Sequence, residues 1–314
     1  MNKEVNLNFY VKILLLLTCW SLATTVAFSQ QDALYSQYMF NGLVINPAYA
    51  GSSEALNVTA SARKQWVGMD GSPSTQTLSV HTPLKKEKIA LGLMLINDNI
   101  GVTHQFGITG IYAYRISWKE KNKFSMGLQF GGSQFTTKYS VLATRAPGDN
   151  SFSADQVSGF IPSLGAGLYY NNDKFYLGLS VPYLLNNLLK DTLMSSNIFQ
   201  RRHYLFTSGI VVKISPNLKI KPSVLIKSAQ GVPVQVDLNT NLLIKEVLWL
   251  GLSFRDFKRL NFLTQVQLTD QLKFGYSYDF ASGKTNTINK GSHEIVLNYN
   301  FAFVKNKVVT PRYF

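Results

Sequence analysis

Four histidines, His81, His104, His203 and His293, are the side chains of this sequence best suited to acid–base or metal chemistry. None stands in a His-Glu-x-x-His pattern, the spacing that puts two imidazoles on one helix face around zinc. No Gly-x-Ser-x-Gly turn offers a strained nucleophile, and no Gly-x-x-x-x-Gly-Lys-Ser/Thr loop cradles a phosphate. Carboxylates that could pair for general acid–base work are scarce, with Asp and Glu totalling 17 in 314 residues. A Ser–His hydrolase built from His293 and a strand serine is the one enzymatic alternative, and a polar residue at a strand end is the simpler reading of that histidine. The sequence therefore predicts a non-enzyme with no catalytic residue, no metal site and no cofactor.

Residues 1–29 read as a secretory signal peptide. Lys3 and Lys12 precede the apolar run Ile13–Phe28, and Ala27 and Ser29 supply small residues before Gln30. Cys19 is the only cysteine and lies in that leader, so the exported chain has no disulfide or thiolate ligand. The formal net charge is +14, and export together with the absence of a basic-aromatic groove argues against nucleic acid as partner.

Only 15% of residues are charged, against about 25% in an average soluble domain. There are 16 Tyr and 20 Phe. Yet no segment after the leader approaches the roughly 20 apolar residues of a membrane helix. The longest run is Ile89–Ile96. Instead a period of two recurs. In Gln271–Phe280, Leu272, Phe274, Tyr276, Tyr278 and Phe280 share one face, and Lys273, Gly275, Ser277 and Asp279 the other. Lys123–Phe130, Val234–Leu242 and His293–Phe303 alternate similarly. A strand with hydrocarbon on one side and small or polar groups on the other must alternate this way.

About fourteen such segments are expected, at 54–66, 73–82, 88–98, 104–117, 122–135, 162–172, 174–182, 203–214, 218–227, 234–243, 247–255, 260–269, 271–281 and 293–304. Their connections tend to alternate short and long, as the periplasmic turns and outer loops of an outer-membrane barrel do. The fold class is all-β: a transmembrane antiparallel β-barrel of about 14 strands with both termini periplasmic. A secreted β-sandwich is the alternative, but its outward face would carry more Lys and Glu. The expected organisation is a signal peptide at 1–29, a periplasmic N-terminal segment or plug at 30–53, the barrel at 54–304 and a periplasmic tail at 305–314.

Three groups of residues are candidates for contact. Arg201, Arg202, Arg255, Lys258 and Arg259 fall at expected outer strand ends, where cations can pair with lipopolysaccharide phosphates or simply form a solvated rim. Tyr112, Tyr114, Tyr169, Tyr170, Tyr176 and Tyr183 fit an aromatic girdle at the membrane interface. The segment 30–52 has neither helical nor strand period. Asn46-Pro47 favours an extended or turn conformation, and Tyr35, Tyr38, Phe40 and Tyr49 are aromatic anchors for docking a partner or plugging the barrel. In the tail, Pro311 cannot donate to a sheet.

The stretch Gln30–Ser52, "QQDALYSQYMFNGLVINPAYAGS", resembles the start of the PorP/SprF family of type IX secretion system membrane proteins. Arg63–Leu84 is similar to that family's first hairpin, Gly291–Phe301 to its last strand, and Pro311–Phe314 to its terminus. The resemblance implies an outer-membrane barrel of Bacteroidetes-type bacteria without enzymatic activity, associated with type IX secretion and, in some relatives, gliding motility. It also implies periplasmic partners of the secretion machinery, among them a peptidoglycan-binding lipoprotein, and a large secreted adhesin as client. Outer-membrane lipid and lipopolysaccharide are the remaining partners. Arg312, Tyr313 and Phe314 are the tail residues the resemblance singles out. A diffusion porin or small-molecule transporter is the alternative function.

Overall fold

The computed structural model describes residues 35–53, 55–84, 88–118, 122–141, 155–157, 159–185, 187–188, 199–200, 202–230, 232–281 and 289–301. Period-two alternation becomes strand throughout. The first five strands are β1 Leu56–Lys64, β2 Ser74–Pro83, β3 Ile89–Ile100, β4 Thr103–Trp118 and β5 Asn122–Thr137. Next come β6 Ile161–Asn171, β7 Phe175–Val181, β8 His203–Ile210 with its continuation Val212–Ser215, and β9 Leu218–Ala229. The last are β10 Val232–Ile244, β11 Leu248–Arg255, β12 Arg259–Gln267, β13 Leu272–Asp279 and β14 Ser292–Phe301.

Each strand pairs antiparallel with its neighbours in the chain, and β14 returns to β1 in a register running from Leu56↔Phe301 to Lys64↔His293. The product is a closed 14-strand antiparallel barrel, the fold class and strand number expected from the alternation. Closure removes the unpaired edge that hydrocarbon would not tolerate. Among the described residues no helix is long and apolar enough to cross a membrane.

The two faces of the wall differ as the sequence requires. On β4, Phe106, Ile108, Tyr112, Tyr114 and Ile116 point outward and are exposed, while Ile111, Ala113 and Arg115 point inward and are buried. The inner face is mostly small and polar around the barrel, with Ser79, Ser125, Ser163, Thr207, Ser253 and Asn261 all buried. The packed core therefore lies inside the lumen, and the apolar belt lies outside.

At the end where β1 starts and β14 stops, all connections are tight: 84–88, 119–121, 172–174, 216–217, 245–247 and 268–271. At the opposite end, here the loop end, 138–160 and 182–202 are long, but 101–102, 230–231 and 256–258 are as tight as any turn. The tendency to alternate thus fails at these three places. At two of them the reason is local geometry: Gly101 (φ 58°) and the pair Asp256–Phe257 (φ 51° and 52°) adopt left-handed backbone, which closes a hairpin in very few residues.

Candidate functional site

The lumen is occupied by residues 35–53, and its structure starts from Asn46-Pro47. Asn46 is extended (φ −147°, ψ 114°), as a residue before proline tends to be. Its Oδ1 accepts the Ala48 N–H at 2.9 Å and so starts the short 3-10 turn Pro47–Tyr49. A second 3-10 turn, Gly42–Val44, precedes it. Between turns the aromatics and small residues alternate without period, which suits a segment that must touch walls on several sides.

One wall is a glycine bed. Asn46 Nδ2 donates to the carbonyl of Leu168 at 3.0 Å and reaches that of Leu179 at 3.4 Å, joining β6 to β7. A Cβ on Gly127 would stand 2.2 Å from the Ala48 nitrogen, and one on Gly167 would stand 2.1 Å from Asn46 Oδ1. Only glycine lets the segment approach so closely. Tyr49 then meets the edges of His81 (5.8 Å) and Tyr169 (5.6 Å). Past it, the Gly51 N–H donates to His81 Nδ1 at 3.0 Å, and Arg115 donates to the Gly51 carbonyl.

At the loop end the segment is held by charge. Arg63 on β1 ion-pairs with Asp279 on β13 and, at 3.1 Å, with Glu294 on β14. Ser36 lies between them. Its N–H donates to Glu294 at 2.7 Å, its hydroxyl donates to Asp279 at 2.8 Å, and it accepts from Arg63 at 2.8 Å. Gln37 adds a backbone donation to Glu294 at 3.2 Å. Next to this cluster Arg255 pairs with Asp237 at 2.8 Å and donates to the Tyr35 carbonyl at 3.1 Å. Removing one member of such a buried network costs about 3–5 kcal/mol, because a charge is left without its partner.

The third wall is different. Tyr38 is 3% exposed, packs on Leu205 and Leu225, and accepts a hydrogen bond from Asn239. Burial, and then the Asp237 carboxylate, hold its phenol well above the usual tyrosine range, so it is a neutral group. Phe40 packs on Trp249 at 6.3 Å. Around these contacts Asn239 Oδ1, Asn241 Oδ1, Ser253 Oγ, Asn261 Nδ2 and Ser277 Oγ are buried with no protein hydrogen-bond partner. Each such group costs about 1–3 kcal/mol if it stays unsatisfied.

A family model for "Type IX secretion system membrane protein PorP/SprF" matches residues 27–299, which take in the Asn-Pro-Ala-Tyr segment and nearly all of the polar-walled barrel that it fills. The chain belongs to the PorP/SprF family. No curated protein matches its sequence. Among solved structures it is similar to the Acinetobacter baumannii outer membrane protein Omp33, at 12% identity and TM-score 0.45 over 79% of this chain and 100% of that one. It is also similar to the KdgM porin (8%, TM-score 0.41, 78% and 99%) and to a mutant of Rh. blastica porin (9%, TM-score 0.33, 79% and 99%). The chain is a closed β-barrel of the PorP/SprF family.

In this PorP/SprF barrel the sequence candidates separate. Tyr35, Tyr38, Phe40, Asn46, Pro47 and Tyr49 all lie in the lumen against strands. Tyr35 and Ser36 sit level with Arg63, Asp279 and Arg255, so this part of the segment is at the loop end. Arg255 is a correction. It is 3% exposed and turned into the lumen, which rules out contact with lipopolysaccharide. Arg202 donates twice to the Leu184 carbonyl, at 3.1 and 2.7 Å. Arg259 pairs with Asp256 at 3.2 Å, and Lys258 is exposed. Arg201, Arg312, Tyr313 and Phe314 lie outside the described residues.

Two of the six girdle tyrosines are also corrected. Tyr169 and Tyr176 are buried in the lumen, 5.9 Å apart, because their strand parity is inward. Tyr112 and Tyr114 face outward as expected. The histidines have separate surroundings: His293 meets the Tyr276 hydroxyl at 2.8 Å, and His81 the segment. Among the described residues no three His, Cys, Asp or Glu groups could hold a metal ion. Sequence reading missed Arg63, Asp279 and Glu294. Their signal was a charge on the face opposite lipid, in strands that become neighbours when the barrel closes.

Proposed function

We propose that this chain is an outer-membrane component of the type IX secretion system that works as a closed scaffold, not as a diffusion porin. The observation that carries this reading is the lumen filled by residues 35–53, beside which remain cavities of about 90 and 30 Å³. A cleaved leader delivers it to the periplasm, and the outward apolar belt anchors it in lipid. The tight turns face the periplasm, following the general asymmetry of outer-membrane barrels, and dock secretion machinery that includes a peptidoglycan-binding lipoprotein. The long loops hold a large secreted adhesin, which links the barrel to surface attachment and, in some relatives, to gliding.

Planar-bilayer recording of the purified chain tests the closed state. Silence is the expected result, and a large steady conductance favours the porin. Crosslinking in native membranes tests the scaffold: secretion components should link to the turn end. Links confined to the lipid belt would remove that role.

A further inference from the structure

We propose that the lumen is a gated conduit for small hydrophilic anions, shut by the 35–53 segment and released at the Arg63–Asp279–Glu294 cluster. It goes beyond the closed scaffold, which describes the resting state.

The segment is not gripped evenly. Asn46–Ala48 are seated against Gly127 and Gly167 so closely that no side chain fits between. Ser36 and Gln37 are held by charge at the loop end. Between these two holds, Tyr38–Phe40 face β10 and β11 through the bond from Asn239 to Tyr38, a contact of Asn241 Nδ2 with Met39 Sδ at 3.2 Å, and the Phe40–Trp249 ring pair. Strands β10–β13 carry five buried polar atoms without a protein partner, and Gln37 Oε1 and Arg63 Nε at the ion cluster also lack one.

A face packed for good normally satisfies its polar groups or replaces them with apolar ones. Asn239 Oδ1, Asn241 Oδ1, Ser253 Oγ, Asn261 Nδ2 and Ser277 Oγ do neither, and these atoms occupy four consecutive strands. Such a wall is suited to being wetted when Tyr35–Phe40 swing away, with Asn46–Ala48 as the fixed end. The ion cluster is the release point, because its carboxylates hold the Ser36–Gln37 end of that arm and are the groups that water can take over when the arm leaves. Lys273 on β13, and Lys221 on β9 beside β10, lie toward the turn end, with the Lys221 ammonium 5.6 Å from the Tyr176 ring and 5.7 Å from that of Trp249. Once water enters the opened path, these two ammonium groups favour anions in it.

The test uses the full chain in planar bilayers under a KCl gradient. Ser36→Cys with Asp279→Cys replaces a hydrogen-bonded pair by a reducible lock, and Cys19 is the only native cysteine. A second variant, Arg63→Gln, Asp279→Asn and Glu294→Gln together, removes the charges at constant size. Both are first shown to be folded by heat-modifiable migration. The oxidised pair should be silent. Reduction, or the triple variant, should raise open probability at least tenfold, with a reversal potential on the chloride side. Folded variants that stay silent after reduction and after charge removal overturn the gate alone, and a cation-selective current overturns the anion assignment. Steady conductance by the wild type overturns the gate and the closed resting state together.

Discussion

Arg255 and Lys258 flank one turn of the barrel and have opposite surroundings. Arg255 ends β11 on the inward parity, where Asp237 and the Tyr35 carbonyl take its guanidinium. Lys258 has left the strand and is exposed. Arg255→Ala should therefore destabilise the folded barrel by about 3–5 kcal/mol, since Asp237 is left buried and unpaired, without changing lipopolysaccharide binding. Lys258→Glu should change stability by less than about 0.5 kcal/mol and weaken lipopolysaccharide binding. Unfolding midpoints by gel shift, read beside a binding assay, separate the two. The glycines make a second contrast. Gly127→Ala drives a methyl into Ala48, whereas a Cβ on Gly110 meets nothing nearer than 3.7 Å. The first should cost about 1–3 kcal/mol and the second almost nothing, by the same gel-shift midpoints. Equal midpoints would mean that the segment does not rest on β5.

At the scale of elements, the strands were legible because one side sees lipid and the other does not, and that constraint writes a period of two into the sequence. Parity also decides which side a residue faces, and counting it from the outward Leu168 or Phe254 would have placed Tyr169 and Arg255 inward. Closure, once assumed, sets β1 beside β14 and makes Arg63 and Glu294 register partners. What could not be read was the path of 35–53, since a segment without period carries no sign of which walls it meets. Its occupancy of the lumen has a direct consequence. Deleting 35–53 should leave a heat-modifiable barrel, because the strand ladder is complete without it. The emptied lumen, lined by Ser, Thr and Asn, should conduct steadily in planar bilayers. A silent but folded deletion variant would show that loops, and not this segment, shut the barrel.

For the whole molecule, the decisive asymmetry is between the two ends. One carries only tight turns together with the start of β1 and the end of β14; the other carries the long connections 138–160 and 182–202. Outer-membrane barrels keep short turns on the periplasmic side, where strands enter the bilayer during assembly, and long loops outside. Lys245 lies in a turn between β10 and β11, and Lys258 in the connection between β11 and β12; both are exposed. One strand, Leu248–Arg255, separates them, so they report on opposite faces of one membrane crossing. With Cys19 the sole native cysteine, Lys245→Cys and Lys258→Cys each offer one exposed thiol in the barrel. A membrane-impermeant maleimide applied to intact cells should label Lys258→Cys at once. It should reach Lys245→Cys only after the outer membrane is permeabilised. The reverse pattern would invert the barrel, put the long loops in the periplasm, and make them, rather than the turns, the surface that meets the secretion machinery.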